Sequence, residues 1–184
     1  MSQSTTNPHM ISLRGSAALS PFRIEKIQSQ LNQICPAISH IYAEFWHFSW
    51  VEGALSAAHQ STLKQILTYG PSMQAEEPSG ELVLVLPRVG TISPWASRAT
   101  DIVQHCGLPQ IQRVERGIAY YVQTKNGQPL TASERQLLLP LIHDRMTESV
   151  FSKLEDAAKL YHTDTPNESQ PNGCGVDDVR ASEL

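Results

Sequence analysis

The sequence predicts an α+β domain of two pseudo-symmetric strand–helix–strand–helix repeats, followed by a C-terminal helical stretch and a disordered tail. Three observations carry this. Ser20-Pro21 and Ser93-Pro94 each read as a helix start, and each precedes a long run rich in apolar residues beginning at Ile38 and Ile111. The two copies keep one offset, since 93 − 20 = 73 and 111 − 38 = 73, and Pro36 with Pro109, Leu19 with Ile92, Phe22 with Trp95, Ile41 with Val114 and Phe45 with Ile118 share it. Apolar residues almost vanish from His162 onward, where Asp, Asn, Ser, Pro and Gly dominate and a packed core has little to build on. Two such units would pair their sheets across a pseudo-twofold axis, each covering the other's apolar face, with the sheet faces packed or continuous and the helices outside.

The elements follow in order. Residues 1–10 form a flexible start, and the domain runs over 11–148 with repeats at about 11–70 and 82–146. Ile11 to Arg14 reads as a short strand. Proline at the first helical position wastes no N–H, so Ser20-Pro21 starts a helix whose inner face is Ile24, Ile27, Leu31 and Ile34, and Pro36 ends it. Ile38 to Trp50 is a long aromatic strand. A second helix spans about Ser56 to Tyr69, with Leu63, Ile66 and Leu67 inward and Gly70 as its stop. Gln74 to Gly80 is a polar connector. Leu82 to Leu86 is an apolar strand, and the helix from Ser93-Pro94 carries Ile102, Val103 and Cys106 before Gly107 closes it. Ile111 to Gln123 is a strand in which Gly117 marks a bulge or a close approach. Thr131-Ala132-Ser133-Glu134 is a capping box, and Pro140 should kink or split the helix it opens. Helix then continues to about Tyr161, with 149–161 beginning a linker and 162–184 a disordered, truncated tail.

Composition narrows the function classes. The chain has 184 residues, 40% of them hydrophobic, enough for one compact core. A formal net charge of −4 gives no basic footprint for nucleic acid or an anionic membrane. Met1 to His9 is polar, unlike a signal peptide, and no run approaches the ~20 apolar residues of a membrane span. The expected setting is cytoplasmic. Cys35, Cys106 and Cys174 are an odd number without a CxxC pair, which reads as free thiols rather than a zinc site.

Several motifs, taken in order, resemble one family. They are Leu13-Arg14-Gly15-Ser16 with Ala18-Leu19-Ser20, His40-Ile41-Tyr42-Ala43-Glu44, Tyr69-Gly70-Pro71, and the run from Pro87 to Asp101. Further along stand His105-Cys106-Gly107-Leu108, Arg113-Val114-Glu115-Arg116-Gly117, and His143-Asp144-Arg145-Met146-Thr147-Glu148. The chain resembles the N-terminal domain of the large, single-chain phosphoribosylformylglycinamidine synthases of purine biosynthesis. That enzyme converts formylglycinamide ribonucleotide, glutamine and ATP to formylglycinamidine ribonucleotide, glutamate, ADP and phosphate. Its N-terminal domain is similar to a homodimer of the small PurS-type subunit of split synthases, which agrees with the 73-residue repeat. The resemblance implies a scaffold that docks the glutaminase domain onto the synthetase domain and helps sequester ammonia, inactive alone. ATP and magnesium belong to the full-length enzyme, and no catalytic, cofactor or metal residue can be matched in this chain. After about Tyr161 the sequence leaves the family pattern, as in a truncated product. The alternative is a free-standing, non-catalytic subunit of a split synthase.

The candidate contacts to other domains are Arg88, Thr91, Ser93, Pro94, Trp95, Arg98 and Asp101 around the second Ser-Pro helix start. Arg113, Glu115 and Arg116 on the following strand, and His143 and Arg145 near the end of the domain, complete the set. The plain reading of the first group is helix capping by Ser93 with Trp95 buried; a helix N-terminus also suits an anion. Alternation places Arg113 and Glu115 on one sheet face and Arg116 on the other, with a cross-strand ion pair as the simplest use. His143-Asp144-Arg145 reads as a surface ion-pair segment. His105 and Cys106 point about 100° apart on a helix, which is poor geometry for a Cys–His nucleophile pair, and Cys106 is expected buried as a small apolar residue.

Overall fold

The computed structural model describes residues 8–70 and 77–161. The order is β1 (His9–Ala17), α1 (Pro21–Ile34), β2 (Ile38–Val51), α2 (Ala57–Ile66), β3 (Glu81–Pro87), α3 (Pro94–His105), β4 (Ile111–Thr124), α4 (Ala132–Ile142), β5 (Glu148–Phe151) and a 3-10 helix (Leu154–Leu160). The strands form one antiparallel sheet in the order β1-β2-β4-β3-β5.

The repeat is written into the sheet. β2 and β4 pair at its centre, and Phe45 lies opposite Ile118, its own mate at 118 − 45 = 73. Ile41 faces Val122 and Ser49 faces Val114, and the 73-residue offset turns each of these pairs into the other, as a twofold axis through Phe45–Ile118 requires. The two units therefore join edge to edge in a continuous sheet. They do not cover each other's faces, because all four α-helices lie on one side. Ile27 and Leu31 of α1 and Leu138 and Ile142 of α4 pack on Ile41, Ala43, Val83, Tyr120 and Val122. Leu63 of α2 and Val103 of α3 pack on Val51, Ile111 and Val114 of the same face. The opposite face, with Phe48, Leu84, Leu86, Ala119 and Tyr121, is covered by Ala157, Leu160 and Tyr161.

Helix starts follow the sequence closely. The hydroxyls of Ser20, Ser56, Ser93 and Thr131 accept the N–H three residues on, and Thr131–Glu134 forms both halves of its capping box. Pro140 neither splits α4 nor stops it at once. It sits in the last turn, and the helix ends at Ile142, where few further backbone bonds are at stake. Gly117 is a close approach, not a bulge: the register passes through Trp46↔Gly117 unbroken, and a Cβ there would collide with Leu86 and stand 3.0 Å from the Val85 carbonyl oxygen.

Other expectations are corrected. Glu148–Phe151 is a strand, not helix, since its backbone groups pair with the free edge of β3 at Leu84–Pro87, and the helix that follows is of the 3-10 type. Ile34 is 45% and Ile102 54% exposed, while Cys35 and Leu108, just past the helix ends, fill the inner positions. Cys106 is exposed as the C-cap of α3, because the chain turns there and Leu108 goes inward. α2 stops at Ile66, short of Tyr69, and Gly70 adopts φ 91° beyond it. β1 begins at His9. Cys174 and the tail expected over 162–184 lie outside the described residues, as does the part of the connector before Glu77.

Candidate functional site

The two repeats differ most where the second Ser-Pro helix begins. β1 lies against β2 with Leu13 opposite His47, and β3 lies against β4 with Val83 opposite Tyr120, the repeat mate of His47. The first strands are thus offset by 83 − 13 = 70 and not 73. The connection to the helix cap takes up the difference: Ala17 to Ser20 in the first repeat, Pro87 to Ser93 in the second. Three extra residues make the exposed loop Arg88–Ile92, closed by the Thr91 amide and hydroxyl, both donating to the Arg88 carbonyl.

Beneath this loop, on the sheet face without α-helices, Arg113 forms a junction. Its Nε donates to Glu115 Oε1 at 3.0 Å, Nη2 donates to the same oxygen and to the Thr91 carbonyl at 2.7 Å, and Nη1 donates to the Leu160 carbonyl at 3.0 Å. Glu115 is fully buried, and its Oε2 accepts the Ser93 hydroxyl at 3.0 Å, whose oxygen in turn caps the Ala96 N–H. The ion pair is therefore within one strand, two residues apart, not across strands. Tyr161 lies over the Arg113 guanidinium and stacks on Trp50 at 5.1 Å, and its hydroxyl donates to the Phe48 carbonyl. Burial first, then the Glu115 charge, pushes the Tyr161 phenol well above its usual range. One arginine thus ties the loop, the α3 cap and the C-terminal 3-10 helix together, which is a structural use of its charge.

Arg116 faces the helical side, as alternation dictates. Its guanidinium lies between the rings of Phe45 at 4.3 Å and Trp95 at 4.7 Å, and Nη1 donates to the Tyr69 hydroxyl at 3.2 Å. That hydroxyl is 2.7 Å from His47 Nε2, and the imidazole also leans on Trp95. His47 is buried, and burial first, then Arg116, lowers it to about 4, so it is neutral at pH 7. The satisfying order is Arg116 donating to Tyr69 and Tyr69 donating to the imidazole. Trp95 is half-buried, not enclosed. It divides a 270 Å³ cleft, lined by Phe45, Pro87, Arg116 and Glu148, from a 340 Å³ apolar groove lined by Leu67, Tyr69, Ala99 and Ile102.

The remaining candidates do not converge on one centre. Arg88, Pro94, Arg98 and Asp101 are exposed around the loop and α3. His143 and Arg145 sit at a turn in which Asp144 accepts the Met146 N–H at 2.8 Å and donates its own to Glu148; hydrogen bonds from Met146 and Thr147 first, and the His143 charge after them, hold the Asp144 carboxyl below its usual range. His105 Nδ1 lies 2.7 Å from the Asp101 carbonyl, and no hydrogen bond joins it to Cys106. Among the described residues, no three His, Cys, Asp or Glu side chains gather as metal ligands.

Sequence reasoning missed Glu44 and His47. Glu44 is fully buried and accepts Arg14 Nε at 2.7 Å, Trp46 Nε1 at 2.9 Å and Tyr121 Oη at 3.3 Å. The signal was an acid within an aromatic strand, which demands a partner, but the strand does not say which.

Residues 44–161 match the model of the formylglycinamide ribonucleotide amidotransferase N-terminal family. The chain belongs to that family, the N-terminal domain of an enzyme of purine biosynthesis, and membership implies association with the enzyme's other domains. Among the described residues no helix is long and apolar enough to cross a membrane.

Proposed function

From its membership of the amidotransferase N-terminal family, we propose that this chain is the non-catalytic scaffold of a phosphoribosylformylglycinamidine synthase. In this reading it sits in the cytoplasm and docks the glutaminase domain onto the synthetase domain, helping keep ammonia from water between them. The parent reaction joins ammonia from glutamine to formylglycinamide ribonucleotide at the expense of ATP, and its ATP and magnesium are handled by the synthetase domain. The observation that carries the reading is the family match over 44–161. The chemistry of the described residues agrees with it. The buried acids Glu44 and Glu115 are each held by an arginine and further donors, His47 is locked to a phenol, and Cys106 has no base.

Two measurements test it. Immunoblotting the source cells with an antibody to this domain should show a species many times larger than 20.4 kDa. A stable species near 20.4 kDa supports instead the free subunit of a split synthase. Adding the purified chain to the separately produced synthetase and glutaminase domains should raise glutamine-dependent product formation over ammonia-dependent formation. An unchanged ratio would sink the scaffold.

A further inference from the structure

Most arginines that reach into this fold meet a carboxylate. Arg14 meets Glu44, Arg113 meets Glu115 and Arg135 meets Glu81. Arg116 does not. Among the described residues no carboxylate ion-pairs with it, and its single hydrogen bond goes to the Tyr69 hydroxyl. The imidazole behind that phenol, His47, is held neutral, so it neither balances the arginine nor adds a second positive charge. Yet the guanidinium is fixed, clamped between Phe45 and Trp95 at the pseudo-twofold axis. A planar fork held in this way, with donors to spare, is pre-organised for a planar two-oxygen anion.

The surroundings narrow the choice. Glu148 lines the same cleft, its Oε2 accepting the Asp144 N–H at 2.8 Å. A phosphate, near two negative charges, meets repulsion there that a singly charged carboxylate meets only once. Trp95 forms a wall of both the cleft and the apolar groove, where Ile102 stands 54% exposed. Arg88 and Arg98 are exposed on the adjoining loop and helix, and among the described residues neither has an ion-pair partner. A small free acid would fill only the cleft. A polypeptide with an acidic residue beside an apolar one fills cleft and groove together and matches the charge around them.

We propose that Arg116 is a docking anchor that takes an Asp or Glu carboxylate from another domain of the same amidotransferase, with an adjacent apolar side chain seated between α2 and α3. The inference rests on the scaffold reading for its partner and adds the chemistry and the place of contact.

The test has two arms. In the first, the chain is titrated with acetyl-Glu-Leu amide, acetyl-Gln-Leu amide and inorganic phosphate. The readouts are the Arg116 Nε–H and Trp95 indole N–H resonances. The Glu peptide should move both and bind about tenfold more tightly than the Gln peptide, as a charge-assisted fork predicts. R116Q should abolish that preference. R116K, which keeps the charge and spares the fold, should reduce it. Equal binding of the two peptides, phosphate binding as tight as the Glu peptide, or an unchanged preference in R116Q overturns the proposal. In the second arm, the chain is mixed with the separately produced synthetase and glutaminase domains. R116Q should weaken the complex by about tenfold or more, since a buried charge contact is lost. An unchanged Kd overturns the anchor and leaves the scaffold reading standing. If the wild-type chain does not bind those domains, the scaffold reading and this partner both fall, and the first arm alone decides whether Arg116 takes a carboxylate.

Discussion

Replacing Arg113 by methionine should cost about 3–5 kcal/mol of stability, the usual consequence of removing one member of a buried pair. The wild-type guanidinium makes four hydrogen bonds, two to Glu115 and one each to the Thr91 and Leu160 carbonyls. At about 1.5–3 kcal/mol for each charged bond, simple addition would reach roughly 6–12 kcal/mol. That overshoots, because the wild-type protein has already given up hydration of a side chain only 18% exposed and of a Glu115 carboxylate that is 0% exposed. What remains after R113M is a buried carboxylate held by the Ser93 hydroxyl without its arginine, and a 3-10 helix with one tether fewer. The assay is urea unfolding followed by tryptophan fluorescence, in which the Trp50–Tyr161 stack reports on the C-terminal segment. A double variant, R113M with E115L, should recover part of the loss, since an apolar pair leaves no stranded charge. A loss under about 1 kcal/mol for R113M, or a double variant less stable than R113M alone, would refute the view that this junction holds loop, cap and tail together.

Three further outcomes follow from the geometry. His47, lowered to about 4 in the fold, ionises near 6.5 when unfolded, so the unfolded chain binds the extra proton first as pH falls. Stability should therefore be complete above about pH 6.5 and drop by about 3 kcal/mol between there and pH 4, and H47Q should flatten that part of the profile. If wild type and H47Q show the same slope over this range, the burial argument fails. G117A should lower stability by about 1–3 kcal/mol through overpacking, because the added methyl meets buried Leu86 and the Val85 carbonyl, and a thermal melt unchanged from wild type would contradict it. The purified chain should bind a hydrophobic dye at the α2–α3 groove, and I102E should reduce the signal at least severalfold; equal signals would place the exposed apolar surface elsewhere.

What the sequence determined by itself is what neighbours in the chain can decide. Ser20-Pro21, Ser93-Pro94 and Thr131–Glu134 started helices because capping and a proline at the first helical position are matters of a few residues. The 73-residue spacing foretold the doubled architecture, and Phe45 paired with its own repeat mate Ile118. Strand alternation placed Arg113 and Glu115 on one face and Arg116 on the other. Its limits are equally physical. In the last turns of the helices, as at Ile34 and Ile102, the period no longer told which side was buried, and Cys35 and Leu108, just past the helix ends, took the inner places. Glu148–Phe151 became a strand only because β3 offered an open edge, a fact held by residues more than 60 positions earlier. The partners of the charges were decided in the same way. Arg14 with Glu44 spans 30 residues, and Arg113 with the Leu160 carbonyl spans 47. Arg116 meets Tyr69 across 47 residues and rests on Phe45 and Trp95 from opposite repeats. Local spacing fixes which residues share a face, but which of them touch depends on how sheet and helices close on one another, and that is settled by burial and the pairing of charges across the whole chain.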